Sequence, residues 1–184
     1  TVKDKISGTG PLTKVGDGVV TLSVSNDYTG GTTVAAGTLV ARHATALSDK
    51  EVLVNNGATL LIDGVALTTG GLTLNGSGVD GGGALQGAGV ASPAGTVKLN
   101  TASAIGAATV SDKLTVKDQV SGTGSLTKVG GGVVELSASN TYTGGTTIAA
   151  GTLVARTATA LNNKEVLVSN GATLLIDGVD LSTG

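Results

Sequence analysis

The sequence contains no cysteine, phenylalanine, tryptophan or methionine, and only two of its 184 residues are tyrosine. Without cysteine the chain has no disulfide, no thiol nucleophile and no cysteine-bound metal, although this is compatible with any cellular compartment. A globular core normally uses some large aromatic side chains. Their near absence favours a narrow core filled by stacked Val, Leu, Ile and Ala side chains.

Charged residues are also few, and the two signs are balanced. The chain has 11 basic and 13 acidic residues, which give a formal net charge of −2 and are scattered along the sequence with no long run of one sign. This distribution offers no electrostatic footprint for nucleic acid and no polybasic patch for a membrane surface. Because no apolar run approaches roughly 18 residues, we expect no direct membrane span in this segment.

The chain does contain a long internal repeat. When residues 1–70 (the first copy) are aligned with residues 115–184 (the second copy), 56 of the 70 positions carry the same residue at an offset of 114. Chains built from recurring units usually stack them along an axis, so that each unit contacts mainly its neighbours. We therefore expect residues 1–184 to form one segment of a longer array, with the neighbouring repeats as its first partners.

Short apolar runs, each introduced by glycine or a polar turn, predict an all-β chain. Their spacing is about 19 residues, and the abundance of Gly, Thr and Val suits strands joined by tight turns. The internal repeat favours a parallel β-helix (β-solenoid) over a sandwich of antiparallel strands. We expect roughly 8–9 coils, with about 19–23 residues in each. The predicted strands are Gly18–Leu22, Gly37–Ala41, Gly57–Ile62, Gly71–Leu74, Gly95–Leu99 and Lys113–Val116.

Two kinds of segment interrupt these strands. Residues Val40–Lys50 and their counterpart Ala155–Lys164 predict a protruding loop or a single helical turn. The run Gly76–Gly89 is too rich in glycine for a helix, so a loop followed by a short strand at Gly83–Gln86 is expected. Its G-x-G-x-x-G spacing, Gly76–Gly81, does not open a helix that could hold a pyrophosphate, so we interpret the match as accidental.

Residues that could carry chemistry are not kept in both copies. His43, the only histidine, is predicted to lie on an exposed loop. Asp27 and Asp49 are about one coil apart and could stack as the paired carboxylates of a polysaccharide-cleaving site. We therefore predict no catalytic, cofactor-binding or metal-binding residue. In the second copy the three positions hold uncharged residues, namely Thr157, Thr141 and Asn163.

The polar residues that do recur have structural interpretations. Asp63 and Asp177 precede glycine and are predicted to be lone carboxylates that cap turns. Exposed outward strand positions are predicted for the recurring basic residues, Lys14, Lys128, Arg42 and Arg156. Turn or ladder positions are predicted for six asparagines, Asn26, Asn56, Asn75, Asn100, Asn140 and Asn170.

Thirteen spaced residues in each copy form a pattern of some 30 residues. In the first copy these are Leu12, Lys14, Gly16, Gly18, Leu22, Asn26, Tyr28, Thr29, Gly30, Gly31, Thr32, Gly37 and Leu39. In the second copy they are Leu126, Lys128, Gly130, Gly132, Leu136, Asn140, Tyr142, Thr143, Gly144, Gly145, Thr146, Gly151 and Leu153. The pattern resembles the passenger-associated, or autotransporter-associated, β-strand repeat of Gram-negative surface proteins.

This resemblance implies a right-handed parallel β-helix within a secreted passenger that is exposed on the bacterial cell surface. It brings no catalytic residue with it. The leading hypothesis is therefore a non-enzymatic structural stalk of an autotransporter or adhesin-like protein, with a host or matrix surface as its ligand.

Two other functions remain open. One is a self-assembling extracellular filament or biofilm-matrix subunit, because end coils expose unpaired backbone groups that could associate end to end. The other is a β-helical polysaccharide-active enzyme or lectin. The latter is disfavoured because Tyr28 and Tyr142 are the only aromatic residues and no carboxylate cluster recurs.

Overall fold

The computed structural model describes residues 1–180, which form an all-β solenoid of about eight turns. Every strand pairing in this part of the chain is parallel. The predicted parallel β-helix is therefore confirmed. The last four residues of the second copy lie outside the described residues.

Short strands follow one another at the spacing that the apolar runs predict. All six predicted runs coincide with strands, although the run at Gly95–Leu99 is the beginning of a longer one. In chain order the strands are β1 (Leu12–Lys14), β2 (Val19–Leu22), β3 (Thr32–Val34), β4 (Gly37–Ala41), β5 (Glu51–Val54), β6 (Ala58–Asp63), β7 (Ala66–Leu67), β8 (Gly71–Gly76), β9 (Leu85–Ala88), β10 (Val90–Pro93), β11 (Val97–Ala107), β12 (Lys113–Val116), β13 (Val120–Gly122), β14 (Leu126–Val129), β15 (Val133–Leu136), β16 (Thr146–Ile148), β17 (Thr152–Ala155), β18 (Val166–Val168) and β19 (Thr173–Ile176).

The strands form three parallel stacks along the solenoid. The first stack contains β1, β3, β5, β8, the beginning of β11, and β13. The second contains β2, β4, β6, β9, the end of β11, β14, β16 and β18. The third contains β7, β10, β12, β15, β17 and β19.

Coil length varies along the axis. Val20 pairs with Leu39, Leu39 with Leu60, and Leu60 with Leu85, so these successive coils contain 19, 21 and 25 residues. The longest exceeds the predicted range because the glycine-rich loop is inserted there. As predicted, that loop carries no α-helix; it makes one 3-10 turn at Val79–Gly81 before β9.

The core consists of three aliphatic columns, one behind each stack. Each column residue is at most 1% exposed, and its register partners are the column residues of the adjacent coils. Full burial of such a side chain stabilises the fold by about 1.5–3 kcal/mol. The columns are Val34, Val54, Leu74 and Leu99 in the first stack, Leu39, Leu60, Leu85 and Ile105 in the second, and Leu114, Val134 and Leu153 in the third.

The loops predicted at Val40–Lys50 and Ala155–Lys164 begin too early, because Val40 and Ala41 end β4 and Ala155 ends β17. Residues 42–50 and 156–164 form turns, bends and irregular backbone with no helical turn. Within residues 1–180, no helical segment has the length and apolar character needed to cross a bilayer.

Candidate functional site

The lysine that recurs in both copies lies inside the solenoid. Lys128 is 0% exposed and Lys14 is 5% exposed. Lys128 is in register with Ile105 below it and Ile148 above it, so its stem belongs to an aliphatic column. The prediction that both lysines project outward is therefore wrong. Leu126 and Lys128 are two residues apart on one strand, and strand alternation directs both side chains to the inner side.

The lysine ammonium groups cap corners of the chain. The Nζ of Lys128 donates hydrogen bonds to the carbonyl oxygens of Val129 (2.9 Å), Gly130 (2.7 Å) and Ala150 (2.9 Å). An ammonium group has three donors, and all three are used here. Because Ala150 lies in the next coil, one side chain joins two coils. Lys14 makes the equivalent bonds to Val15, Gly16 and Ala36.

A buried asparagine in each copy connects three successive coils. The Asn140 Oδ1 accepts a hydrogen bond from the Val120 backbone N (2.7 Å), and its Nδ2 donates to the Ala160 carbonyl (2.7 Å). Asn26 bonds in the same way to Ile6 and Ala46. Each partner is 20 residues away, one coil below or above. The predicted ladder role is confirmed for these two asparagines.

Two further asparagines also form a ladder. The Asn100 Nδ2 donates to the Asn75 Oδ1 (2.9 Å), and the Asn75 Nδ2 donates to the Val54 carbonyl (3.0 Å). They line an open depression of about 620 Å³ together with Asn55, Thr101 and other residues, none of which is charged. The depression can form hydrogen bonds, but its lining supplies no group for acid–base chemistry.

Both tyrosines are buried hydrogen-bonding residues. Tyr28 and Tyr142 are 3% and 1% exposed, and their hydroxyl groups lie 2.5 Å and 2.6 Å from the Oγ1 atoms of Thr32 and Thr146. Neither ring is available at the surface to stack on a sugar. This observation removes the aromatic platform that a lectin would need at these positions.

Lys128 and Tyr142 predict a stability profile with a maximum at about pH 10. Burial lowers the pKa of Lys128 from 10.5 to about 8, and burial raises the pKa of Tyr142 from 10.0 to about 12, against the opposing effect of the Thr146 hydrogen bond. Between pH 8 and 10 the unfolded chain binds more protons at Lys128, so the free energy of unfolding should rise with pH. At higher pH the unfolded chain loses the tyrosine proton first, so the free energy of unfolding should fall.

Urea unfolding at a series of pH values checks this profile. The variant Lys128→Met should lose the rise, and Tyr142→Phe should lose the fall. A flat profile from pH 8 to 10 in the unsubstituted protein would contradict the lowered pKa of Lys128.

Glycine at the corner where β4 begins, and just before β17, permits close coil packing. Gly37 and Gly151 have φ values of +63° and +64°, in the left-handed region that side chains disfavour. A Cβ atom on Gly37 would lie 2.5 Å from the carbonyl oxygens of Gly16 and Gly18 in the coil below. This corner therefore requires glycine both for its backbone conformation and for space.

Ion pairs connect coils on the outer surface. As predicted, Arg42 and Arg156 are exposed. However, Asp63 and Asp177 are not lone carboxylates, because the Arg42 Nε lies 2.6 Å from the Asp63 Oδ2 and Arg156 contacts Asp177 in the same way. The two members of each pair are 21 residues apart, so an arginine on one coil reaches a carboxylate on the next. The position of each aspartate before a glycine predicted a turn and did not reveal its arginine partner.

The second copy has one more acidic residue in this network. Glu135 lies 2.9 Å from Lys113 and 3.1 Å from Arg156. Burial would raise the pKa of Glu135, but hydrogen bonds from both cations hold it below its usual value. The equivalent position in the first copy is Thr21, so the two copies differ in charge at this position.

His43 does not line the depression that Asp27 and Asp49 share. His43 is exposed, and its Nδ1 lies 3.0 Å from the Thr45 Oγ1. Asp27 and Asp49 line one shallow depression of about 220 Å³, but Asp27 pairs with Lys5 and Asp49 lies beside Lys50. In the part of the chain that the structure describes, no three His, Asp or Glu side chains gather in a group that could hold a metal ion.

The buried lysine, asparagine, tyrosine and glycine fall within two segments that also match a known family. Residues 12–41 and 126–155 match the passenger-associated-transport-repeat. The chain carries two passenger-associated-transport repeats. The first repeat begins with β1 and ends with β4, and the second begins with β14 and ends with β17.

A curated relative supports the same assignment. The chain is 32% identical over 155 residues to the protein described as "Adhesin BmaC autotransporter" from Brucella suis biovar 1 (strain 1330). The aligned region covers 83% of this chain but only 4% of that adhesin, so the chain corresponds to a small part of the relative. No solved structure matches the chain.

The structure explains what the distinctive residues of the repeats do. Lysine and asparagine bond to adjacent coils, tyrosine and threonine bond to each other in the interior, and glycine lets the coils approach. These contacts lie within or between coils of the chain itself.

Proposed function

We propose that this chain is a non-enzymatic structural segment of a secreted passenger in an autotransporter or adhesin-like protein, where it helps to present the passenger at the bacterial cell surface. The single observation that carries the proposal is that the buried polar side chains of the repeat bond to adjacent coils of the same chain. Lys128 and Asn140 bond to adjacent coils of the same chain, so these side chains hold the stack together. The two repeats and the adhesin relative support the same function.

Directional coil stacking gives this segment a mechanism for assisting secretion. A new coil pairs its backbone with the preceding coil and buries its aliphatic residues on the existing columns, so folding can propagate from one end. The bridging asparagine strengthens this order, because Asn140 is fully bonded only when the coils on both sides are in place. A chain that emerges at the cell surface and folds there would be prevented from sliding back.

The proposal predicts that loops of this segment are accessible on living cells. A short epitope tag placed between Ala158 and Thr159, in the second-copy loop, should be labelled by antibody on intact cells that express the full-length parent protein. The matched control carries the same tag and lacks residues 33–52, a single 20-residue coil whose removal brings Leu53 into the register position of Thr33. This variant should also reach the surface, because a modular stack tolerates the loss of one unit.

Two results would contradict the proposal. Labelling that appears only after cell lysis would rule out surface presentation. Global unfolding of the coil-deletion variant, seen as loss of the β-sheet circular dichroism signal, would rule out a modular structural role. Cleavage of polysaccharides by the purified chain would favour the enzymatic alternative.

A self-assembling extracellular filament is the second candidate function. Strands β18 and β19 leave large aliphatic side chains between 42% and 57% exposed, which can pack against a further coil of the same chain or of another chain; these are Leu167, Val168, Leu175 and Ile176. Sedimentation velocity over a hundredfold range of concentration would show chain-length growth for a filament and a single monomeric species otherwise.

A further inference from the structure

An asparagine ladder lies on the outer surface beside the first stack. Its members, Asn55, Asn75 and Asn100, each come directly after a column residue of that stack, so they lie above one another on three successive coils. Adjacent coils are about 4.8 Å apart. The surface therefore presents three carboxamide groups in one row along the solenoid axis.

Hydrogen bonds between coils hold part of this ladder in place. Asn75 donates to the Val54 carbonyl in the coil below and accepts from Asn100 in the coil above. Asn100 thereby uses one of its two N–H donors. Within residues 1–180, no hydrogen bond uses the Asn100 Oδ1 or the carboxamide groups of Asn55 and Asn56. These free donors and acceptors can bind a ligand without any loss of the bonds that fix the ladder.

A bulge in β11 directs polar side chains to the same place. The register between β8 and β11 shifts at residues 100–102, which bulge out of the strand. The bulge exposes Thr101, whose Oγ1 accepts a hydrogen bond from the Gly76 backbone N (3.1 Å). A Cβ atom on Gly76 would collide with the carboxamide oxygen of Asn56, so glycine leaves room for that side chain. Bulges often redirect side chains in this way beside functional sites.

The ladder and the bulge line one open depression of about 620 Å³, and no charged residue contributes to its lining. This volume is within the range of about 300–1,000 Å³ that is typical of ligand sites. Leu53 and Ala102 add apolar surface beside the carboxamide groups. The depression thus combines uncharged hydrogen-bonding groups with small apolar contacts.

We propose that this depression binds a neutral saccharide. Sugar hydroxyl groups both donate and accept hydrogen bonds, as carboxamide groups do, and the C–H faces of sugar rings can pack on Leu53 and Ala102. An acidic polysaccharide or a nucleic acid would bring charges that the lining does not complement. An extended peptide would find no free strand edge to pair with, because β8 already pairs with both β5 and β11.

The inference names a ligand class for the proposed surface segment, and it rests on that function only for where the depression is displayed. Residues 71–114 lie between the two copies and occur once, so we expect one site per chain. No aromatic ring lines the depression. Because stacking on such a ring is missing, we expect a dissociation constant in the millimolar range.

Nuclear magnetic resonance titration of the isotope-labelled full chain tests the ligand class. The probes are four neutral hexasaccharides, namely maltohexaose, cellohexaose, mannohexaose and galactohexaose. At least one of them should shift the side-chain amide signals of Asn75 and Asn100 and saturate at one site per chain. A heparin hexasaccharide and an uncharged peptide should leave these signals unchanged. If none of the four neutral probes shifts the signals, or if heparin or the peptide shifts them instead, the proposal fails.

Three variants place the bound saccharide in the depression. Asn100→Ala should weaken binding about tenfold, because it removes one member of the ladder. Leu53→Trp should strengthen binding about fivefold, because an indole ring adds a surface on which a sugar can stack. The matched control is Asn170→Ala, which removes an exposed asparagine outside the depression and should leave the affinity unchanged.

Unchanged affinity in a folded Asn100→Ala variant would overturn the proposal. Leu53→Trp keeps every carboxamide of the ladder, so unchanged affinity in that variant would overturn it even if Asn100→Ala proved unstable. Antibody labelling of the tagged parent protein on intact cells should be the same with and without Asn100→Ala. A failure of saccharide binding is therefore distinguishable from a failure of surface presentation.

Discussion

Replacing Lys128 with alanine is expected to lower the free energy of unfolding by about 3–5 kcal/mol, because it creates a cavity and removes the partners of three carbonyl groups. The three carbonyls belong to Val129, Gly130 and Ala150, and all lie within 2.9 Å of the ammonium nitrogen. The variant Lys128→Met keeps the aliphatic stem and loses both the donors and the buried charge, whose desolvation cost offsets part of the lost hydrogen bonding, so we expect a smaller loss of about 1–2 kcal/mol. Urea denaturation at neutral pH measures both values.

The matched control for this prediction is an exposed lysine on the same part of the chain. Lys117 is exposed, so Lys117→Ala should change the free energy of unfolding by no more than about 0.5 kcal/mol. If Lys128→Ala were as mild as Lys117→Ala, the lysine would have to project outward, as its charge led us to predict.

Replacing Gly37 with alanine should destabilise the solenoid by about 3–5 kcal/mol, because backbone strain and a steric clash act together. Its φ of +63° is unfavourable for any side chain, and the new Cβ atom would press on the carbonyls of Gly16 and Gly18. Gly57 separates the two causes, because its φ is +78° but a Cβ atom there would meet nothing within 4 Å. Gly57→Ala should therefore cost only about 1–2 kcal/mol of strain.

Thermal and urea unfolding of the two glycine variants would test this difference. Similar losses for Gly37→Ala and Gly57→Ala would mean that the coils are not in close contact at this corner. A greater loss at Gly57 would contradict the packing described for the first copy.

The strands and the aliphatic columns could be predicted from the sequence because both depend on local patterns. Glycine followed by a short run of Val, Leu and Thr indicated strands such as Gly37–Ala41 and Lys113–Val116, which the structure contains with the same bounds. The lack of large aromatic residues indicated a narrow core. The family resemblance was confirmed, because the passenger-associated-transport-repeat matches the two segments in which spaced glycines, asparagine and tyrosine recur.

The buried lysine was missed because charge outweighed alternation in the interpretation. Leu126 and Lys128 occupy alternate positions, so the strand pattern alone placed the lysine on the inner side. What the sequence could not show was that three carbonyl oxygens converge at the corner to receive it. The Arg42–Asp63 pair was missed for a related reason, since a distance of 21 residues becomes a contact only when the coil length is known.

Strand β1 lies in the first stack, whereas its second-copy equivalent β14 lies in the second. This difference could not be predicted either, because it depends on the sum of several coil lengths. Coils of 19 residues near Val20 and of 25 residues near Leu85 differ by the glycine-rich loop that contains Val79–Gly81. An average length taken from the spacing of apolar runs does not reveal whether 114 residues make a whole number of coils. Only the register of each pair of strands shows whether the period is a whole number of coils.

Disulfide formation between neighbouring coils tests the central claim, parallel stacking in a fixed register, most directly. Thr33 pairs with Thr13 in the coil below and with Leu53 in the coil above. Under mild oxidation, Thr33→Cys should form a disulfide with Thr13→Cys in one double variant and with Leu53→Cys in another, whereas Thr13→Cys and Leu53→Cys, two coils apart, should not react because their Cα atoms are more than about 7 Å apart. Failure of either adjacent pair, or efficient bonding between residues 13 and 53, would contradict the stacked solenoid.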